Sequence, residues 1–177
     1  QAQAGNGEAF GQLYERYAAA IFRYIFAHVD NRLDAEDLTE EVFLRAWRSI
    51  SKYHQQDTPF LAYMFRIARN AVIDHHRSSR RSQRDVSLDA DEYPDRQIRE
   101  LHSDPGDVVS DSLERQEMRK LLNQLQEDYR TVILLRFLSG LNPDETAKVM
   151  DRSPGAVRVL QHRALTALRK LLPVEEL

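Results

Sequence analysis

Cysteine is absent from the 177 residues, which excludes disulfides, thiol nucleophiles and cysteine-ligated zinc or iron–sulfur sites together. Glycine is scarce too: none stands between Gly11 and Gly106, and only Pro59, Pro94 and Pro105 interrupt that stretch. A chain with so little punctuation has few places to turn a hairpin, so an all-α fold is expected. No apolar run approaches the roughly 18 residues of a membrane span. The opening QAQAGNGEAF also lacks a basic stretch followed by an apolar one. The expectation is no membrane insertion and a cytoplasmic location. What is present is ordinary for folded protein, 42% hydrophobic and 30% charged residues, which is enough apolar surface for a core. The length fits one domain or two small ones.

The formal net charge of −3 speaks at first against a nucleic-acid partner, but it is an average over unlike segments. Residues 1–84 carry 12 basic and 10 acidic side chains, residues 85–117 carry 3 and 11, and residues 118–177 carry 10 and 7. An acidic middle thus hides two mildly basic ends. From Leu61 to Arg84 six arginines face one acid, Asp74, and from Arg152 to Leu172 five cations stand without any acid. Such runs are the electrostatic footprint of phosphate-backbone contact, or else a solvated helix face. Between Asp30 and Glu41 the pattern inverts to six acids and one arginine, a patch suited to a basic partner.

Apolar spacings of three and four predict a first helix from about Glu8 to Val29, rich in aromatic residues. A second is expected to open at Asp34 as N-cap and to bury Leu38, Val42, Phe43, Ala46, Trp47 and Ile50. Thr58 and Pro59 signal the start of a third, which runs into the arginines. Low hydrophobic density, negative charge and two prolines mark residues 85–110 as an acidic linker. The expected organisation is a domain at 1–84, that linker, and a second helical domain at 111–177. In the latter, Gly140 is a natural C-cap. Asn142, Pro143 and Glu145 form a cap, first-turn proline and capping-box acid, and Ser153 with Pro154 repeats the signal ten residues later.

Two short helices so spaced have helix-turn-helix proportions, the second helix being the one that enters the major groove. Ala147 is small where the helices approach, and Asp151 occupies the turn position that wants a left-handed conformation. Ser153, Gly155, Arg158, Val159, His162 and Arg163 are then the candidate readers of duplex DNA, arginine for guanine edges and Val159 for a thymine methyl. In the first domain Tyr53, His54, Gln55, Gln56, Arg66, Arg69, Asn70, Asp74, Arg77, Arg80 and Arg81 mix aromatic, polar and cationic side chains over one loop and one helix. That mix suits extruded single-stranded bases. Phe60 and Tyr63 read better as core or boundary residues. His75 and His76 invite a metal reading, yet adjacent helical residues do not face one ion and no H-E-x-x-H occurs. No metal, cofactor or catalytic residue is expected. Two other classes stay open on the residues alone: a stand-alone helix-turn-helix regulator, and a metal-dependent hydrolase built on the two histidines.

Three segments carry a resemblance: DAEDLTEEVFLRAW (Asp34 to Trp47), PFLAYMFRIARNAVIDHHRSSRR (Pro59 to Arg81), and the run from Glu127 to Leu172. In this order they resemble the group IV, extracytoplasmic-function sigma factors of the sigma-70 family. The resemblance implies two helical domains and a role in promoter-specific initiation without catalysis of its own. The acidic helix, with Asp34, Asp37, Glu40 and Glu41, would dock on the clamp helices of the largest subunit of core RNA polymerase. The family usually has glutamine where Glu40 stands, which implies a more salt-sensitive contact. The loop Ser51 to Thr58 and the following helix, with Asn70, Asp74 and Arg77, would melt the minus-ten element of promoter DNA and capture a flipped base. Arg158, Val159, His162 and Arg163 would read the minus-thirty-five element. The acidic linker would thread a positively lined channel of the polymerase. An anti-sigma factor is a further partner common in the family.

Overall fold

The computed structural model describes residues 2–86 and 113–172, with seven α-helices and no strand among them. The first half holds α1 (Gly7–Val29), α2 (Arg32–Ser49) and α3 (Phe60–Val86). The second holds α4 (Leu113–Asn123), α5 (Glu127–Ile133), α6 (Pro143–Met150) and α7 (Pro154–Leu171). From residue 87 onward the expected linker lies outside the described residues, as does Pro173.

Local signals explain most boundaries. Asn6 caps α1 by accepting from the Glu8 and Ala9 amides, and Asp30 ends it in a left-handed conformation at φ 53°. The second helix departs from expectation. Its N-cap is Asn31, whose side chain accepts from the Asp34 amide, so Asp34 sits inside the first turn rather than capping it. Either carboxylate or amide caps well, but the residue three before the acceptable donor wins, and that is Asn31. α3 opens at Phe60, with the Pro59 carbonyl accepting from the Tyr63 amide at 3.0 Å. α5 continues into a π-helical turn over Leu134–Leu138, ended by Gly140 at φ +71°.

Ile21, Tyr24 and Ile25 of α1, Val42 and Phe43 of α2, and Met64, Phe65 and Val72 of α3 fill one core. Burial on this scale, at about 25 cal/mol per Å² of apolar surface, dominates the energetics. The core does not stop at the end of α3. Val132, Leu135, Leu141, Ala147, Val149 and Val157 continue the same buried cluster, because α6 packs on α3 and α4 on α1. The two halves, read from sequence as separate, share an apolar seam.

Candidate nucleic-acid interface

The helix-turn-helix is built from its caps. Asn142 accepts from the Glu145 amide at 2.8 Å while the Glu145 carboxylate accepts from the Asn142 amide at 2.8 Å. α6 closes on Asp151, left-handed at φ 55° and ψ 48°. Ser153 then caps α7 by accepting from the Ala156 amide at 3.1 Å. That bond uses one lone pair of the hydroxyl and leaves its proton to donate outward. Val157 and Ala164 are buried on the helix that packs against α5 and α6. Gly155, Arg158, Val159, His162 and Arg163 are all exposed on the opposite side. Val159, with 52% of its surface in solvent, contributes nothing to the core. A Cβ on Gly155 would meet nothing within 4 Å, so the start of α7 is open on that side.

The other candidate group sorts into three kinds. His54, Gln55 and Gln56 of the loop and Arg66, Asn70, Arg77, Arg80 and Arg81 of α3 are exposed. Tyr53 is half-buried and braces the loop: its hydroxyl donates to the Thr58 carbonyl at 2.7 Å, and its ring lies 4.8 Å from that of Tyr63. Phe60 and Tyr63 are likewise half-buried, with the Tyr63 hydroxyl 2.6 Å from that of Ser49. Asp74 and Arg69 are tied to protein. Arg45 of α2 reaches Asp74 at 3.3 Å and donates from Nε to Glu41 at 2.9 Å, so one guanidinium joins the acidic face of α2 to α3. On that face Asp37 and Glu40 are exposed, whereas Asp34 and Glu41 are half-buried. Asp34 lies 3.8 Å from His75. The rings of His75 and His76 are edge to face, centroids 5.9 Å apart. Among the described residues no three His, Asp or Glu side chains gather as metal ligands. Nor, among the described residues, is any helix long and apolar enough to cross a membrane.

Sequence reasoning missed the ties between the halves. His28, buried at 4% exposure, donates from Nδ1 to the Tyr24 carbonyl at 2.8 Å, so its neutral Nε2 accepts from the Thr131 hydroxyl at 3.0 Å. Burial lowers its pKa from 6.5 to about 4, which keeps this tautomer neutral. Asp128 lies between Arg69 of α3, at 3.8 Å, and Arg152 of the turn before α7. The Lys148 ammonium donates to the Asp57 carbonyl, and the Arg119 guanidinium stands 4.3 Å from the centroid of the Phe26 ring. A cleft of about 630 Å³ opens beside this seam, lined by Thr58 and Arg66 on one side and Lys148, Arg152 and Ser153 on the other. Only pairing at long sequence separation reveals these contacts, and no local pattern encodes them.

Comparison with known proteins matches both halves. A family model described as Sigma-70 region 2 covers residues 13–82, and one described as Sigma-70, region 4 covers residues 115–168. The ECF RNA polymerase sigma factor BldN of Streptomyces coelicolor is 40% identical over 173 residues, which is 98% of this chain and 64% of BldN. The chain therefore spans a little under two thirds of that relative. The ECF RNA polymerase sigma factor SigD of Mycobacterium tuberculosis is 33% identical, covering 96% of this chain and 79% of SigD. Among solved structures, CnrH in complex with the cytosolic domain of CnrY has a TM-score of 0.73 at 26% identity, covering 99% of this chain and 95% of that one. The sigma factor RpoE, in complex with the anti-sigma factor NepR from Bartonella quintana, has a TM-score of 0.76 at 24% identity, covering 96% and 99%. That last likeness is one of fold.

Proposed function

From the premise that the chain belongs to the extracytoplasmic-function group of the sigma-70 family, we propose that it directs promoter-specific transcription initiation by core RNA polymerase. The observation that carries this reading is the pairing of two unlike surfaces in one chain. One is a capped helix-turn-helix with an exposed basic reading face on α7. The other is a braced loop leading into the arginine-rich α3. The first suits duplex DNA and the second suits extruded bases. Arg158, Val159, His162 and Arg163, with Ser153 and Gly155 at the helix start, read the minus-thirty-five element. The loop residues His54, Gln55 and Gln56, with Arg66, Asn70, Arg77, Arg80 and Arg81, melt and hold the minus-ten element. Asp37 and Glu40 dock on the clamp helices of the largest polymerase subunit. Asp34, Tyr53 and Asp74 hold these surfaces in shape. The chain supplies no catalytic residue, since the polymerase forms the phosphodiester bonds. It works where that enzyme works, in the cytoplasm.

The seam between the halves has a consequence for this reading. The two promoter elements lie about 25 base pairs apart, roughly 85 Å along the duplex. Helices α3 and α6 touch, so both elements are read only after the halves part, which also frees Arg69 from Asp128. The stretch 87–112 between α3 and α4 has enough chain to reach roughly 90 Å if fully extended. CnrH, solved in complex with the cytosolic domain of CnrY, supports a protein partner for this chain as well, by family expectation an anti-sigma factor. Transcription in vitro with core polymerase over a promoter library tests the reading. The expected outcome is weak binding to free promoter DNA and defined start sites only when polymerase is present. Tight, specific binding by the protein alone, with no effect on polymerase, would make it a stand-alone regulator instead.

A further inference from the structure

The minus-ten loop is not closed by its own residues alone. A 3-10 turn over Ala2–Ala4 is followed by Gly5 at φ +83° and by the Asn6 cap of α1. Phe10 of α1 packs edge-on against Trp47 of α2 at 4.8 Å between centroids. These fix the N-terminal turn beside the start of the loop. There the Gln3 amide nitrogen donates to the Ile50 carbonyl at 3.2 Å and also to the Tyr53 carbonyl. Gln3 also lines a cleft of about 470 Å³ with Ser51, Tyr53, His54, Gln55 and Gln56. Clefts that hold small ligands run from about 300 to 1,000 Å³.

The chemistry of that amide is constrained. A primary amide has two N–H donors and one carbonyl acceptor. Both hydrogens of Gln3 are committed to backbone carbonyls, which sets the orientation of the amide. The polar atom left over is Oε1, which has no hydrogen-bond partner among the described residues. An acceptor on the lining of this cleft can receive a hydrogen bond from the exposed edge of a flipped base. Each base carries a donor there, the amines of adenine and cytosine, N1–H and N2–H of guanine and N3–H of thymine, but at different places on its edge. A fixed acceptor therefore favours the base whose donor reaches it.

We propose that Gln3 is a specificity-determining residue of the minus-ten pocket, its backbone-locked amide offering Oε1 to a flipped base and so biasing which base is accepted at that position. The proposal rests on the assignment of the Ser51 to Thr58 loop to the minus-ten element. It adds a wall that lies some fifty residues before the loop in sequence.

The test is transcription by the holoenzyme over a library randomised through the minus-ten element, with wild type, Gln3→Ala, Gln3→Met and a His54→Ala, Gln55→Ala, Gln56→Ala loop variant. Gln3→Met keeps the length of the side chain and removes its polarity, so it separates hydrogen bonding from packing. In both Gln3 variants the preference for the favoured base over the others should fall roughly three- to tenfold at one position, with the other positions unchanged. Equal loss at every base, or an unchanged preference profile while the loop variant alters it, would overturn the role of Gln3 and leave the loop assignment standing. An unchanged profile in the loop variant as well would overturn both.

Discussion

At the scale of single residues, exposure separates side chains that are free to bind from those already engaged. Arg158 and Arg163 are exposed on α7, and a bidentate arginine–guanine contact discriminates by about 1–3 kcal/mol. Arg158→Ala or Arg163→Ala should therefore weaken promoter-dependent transcription about tenfold or more while co-purification with core polymerase is unchanged. Loss of polymerase binding in either variant would reverse the assignment of the two surfaces. The acidic face of α2 calls for a finer choice. Glu41 is engaged by Arg45, which also holds Asp74, so reversing its charge would disturb the α2–α3 contact as well as any docking. Asp37 and Glu40 are exposed and make the cleaner pair. Reversing both to lysine should abolish assembly with the polymerase before any DNA step. Glu40→Gln should instead flatten the salt dependence of assembly, since one screened charge contact is removed. A salt titration of holoenzyme formation that gives parallel curves for Glu40→Gln and wild type would contradict this.

At the scale of elements, the helix-turn-helix was fully legible because every one of its signals is local. Asn142, Pro143, Glu145, Ser153 and Pro154 stand at fixed offsets, and the left-handed residue between the helices follows from their spacing. Asp151 adopts that conformation at φ 55°, which costs an L-residue about 1–2 kcal/mol. Asp151→Gly should thus raise the stability of the C-terminal half by about 0.5–1 kcal/mol, part of the relief being offset by the greater freedom of unfolded glycine. Chemical denaturation would show this as a higher midpoint, and a lowered one would mean the aspartate side chain contributes more than strain relief returns. Other elements were less legible for physical reasons. For α2 the sequence offers Asp34 with Asp37 three residues on as the cap, yet Asn31 with Asp34 three residues on carries the same signal and is the cap that forms. The π-helical turn after Ile133 has no signature in composition or periodicity. Gln3 was invisible because its partners, Ile50 and Tyr53, are distant in the chain.

At the scale of the molecule, the seam between the halves was hidden for the same reason, and it contains a buried imidazole with a strongly lowered pKa. His28 contacts Thr131 across 103 positions of sequence. Around it stand Arg130, His76 and Arg69, whose positive charge adds to burial in lowering its pKa to about 4. Half-buried His76 is lowered as well, burial being the main cause. An imidazole held below its ordinary pKa of 6.5 refuses a proton that the opened or unfolded chain accepts. Its contribution to the closed state is therefore complete above pH 6.5 and is lost progressively as pH falls toward 4. The gap between 6.5 and about 4 corresponds to roughly 3 kcal/mol. That is a large share of the 5–15 kcal/mol typical of a folded domain. Protonated, Nε2 would become a donor facing a hydroxyl among three cationic neighbours, so acid should part the halves before it unfolds either. Small-angle scattering from pH 7.5 to 4.5 should show the radius of gyration rising through this window. His28→Gln, which keeps a polar group without the titration, should remove most of that rise, leaving the smaller share due to His76. A profile identical to wild type in His28→Gln would place the acid response elsewhere in the seam. Asp128→Ala, which unties Arg69 and Arg152 together, should weaken the closed state at every pH and so move the opening to higher pH, whereas His28→Gln removes the titration itself; the two variants thus separate the electrostatic tie from the titrating one.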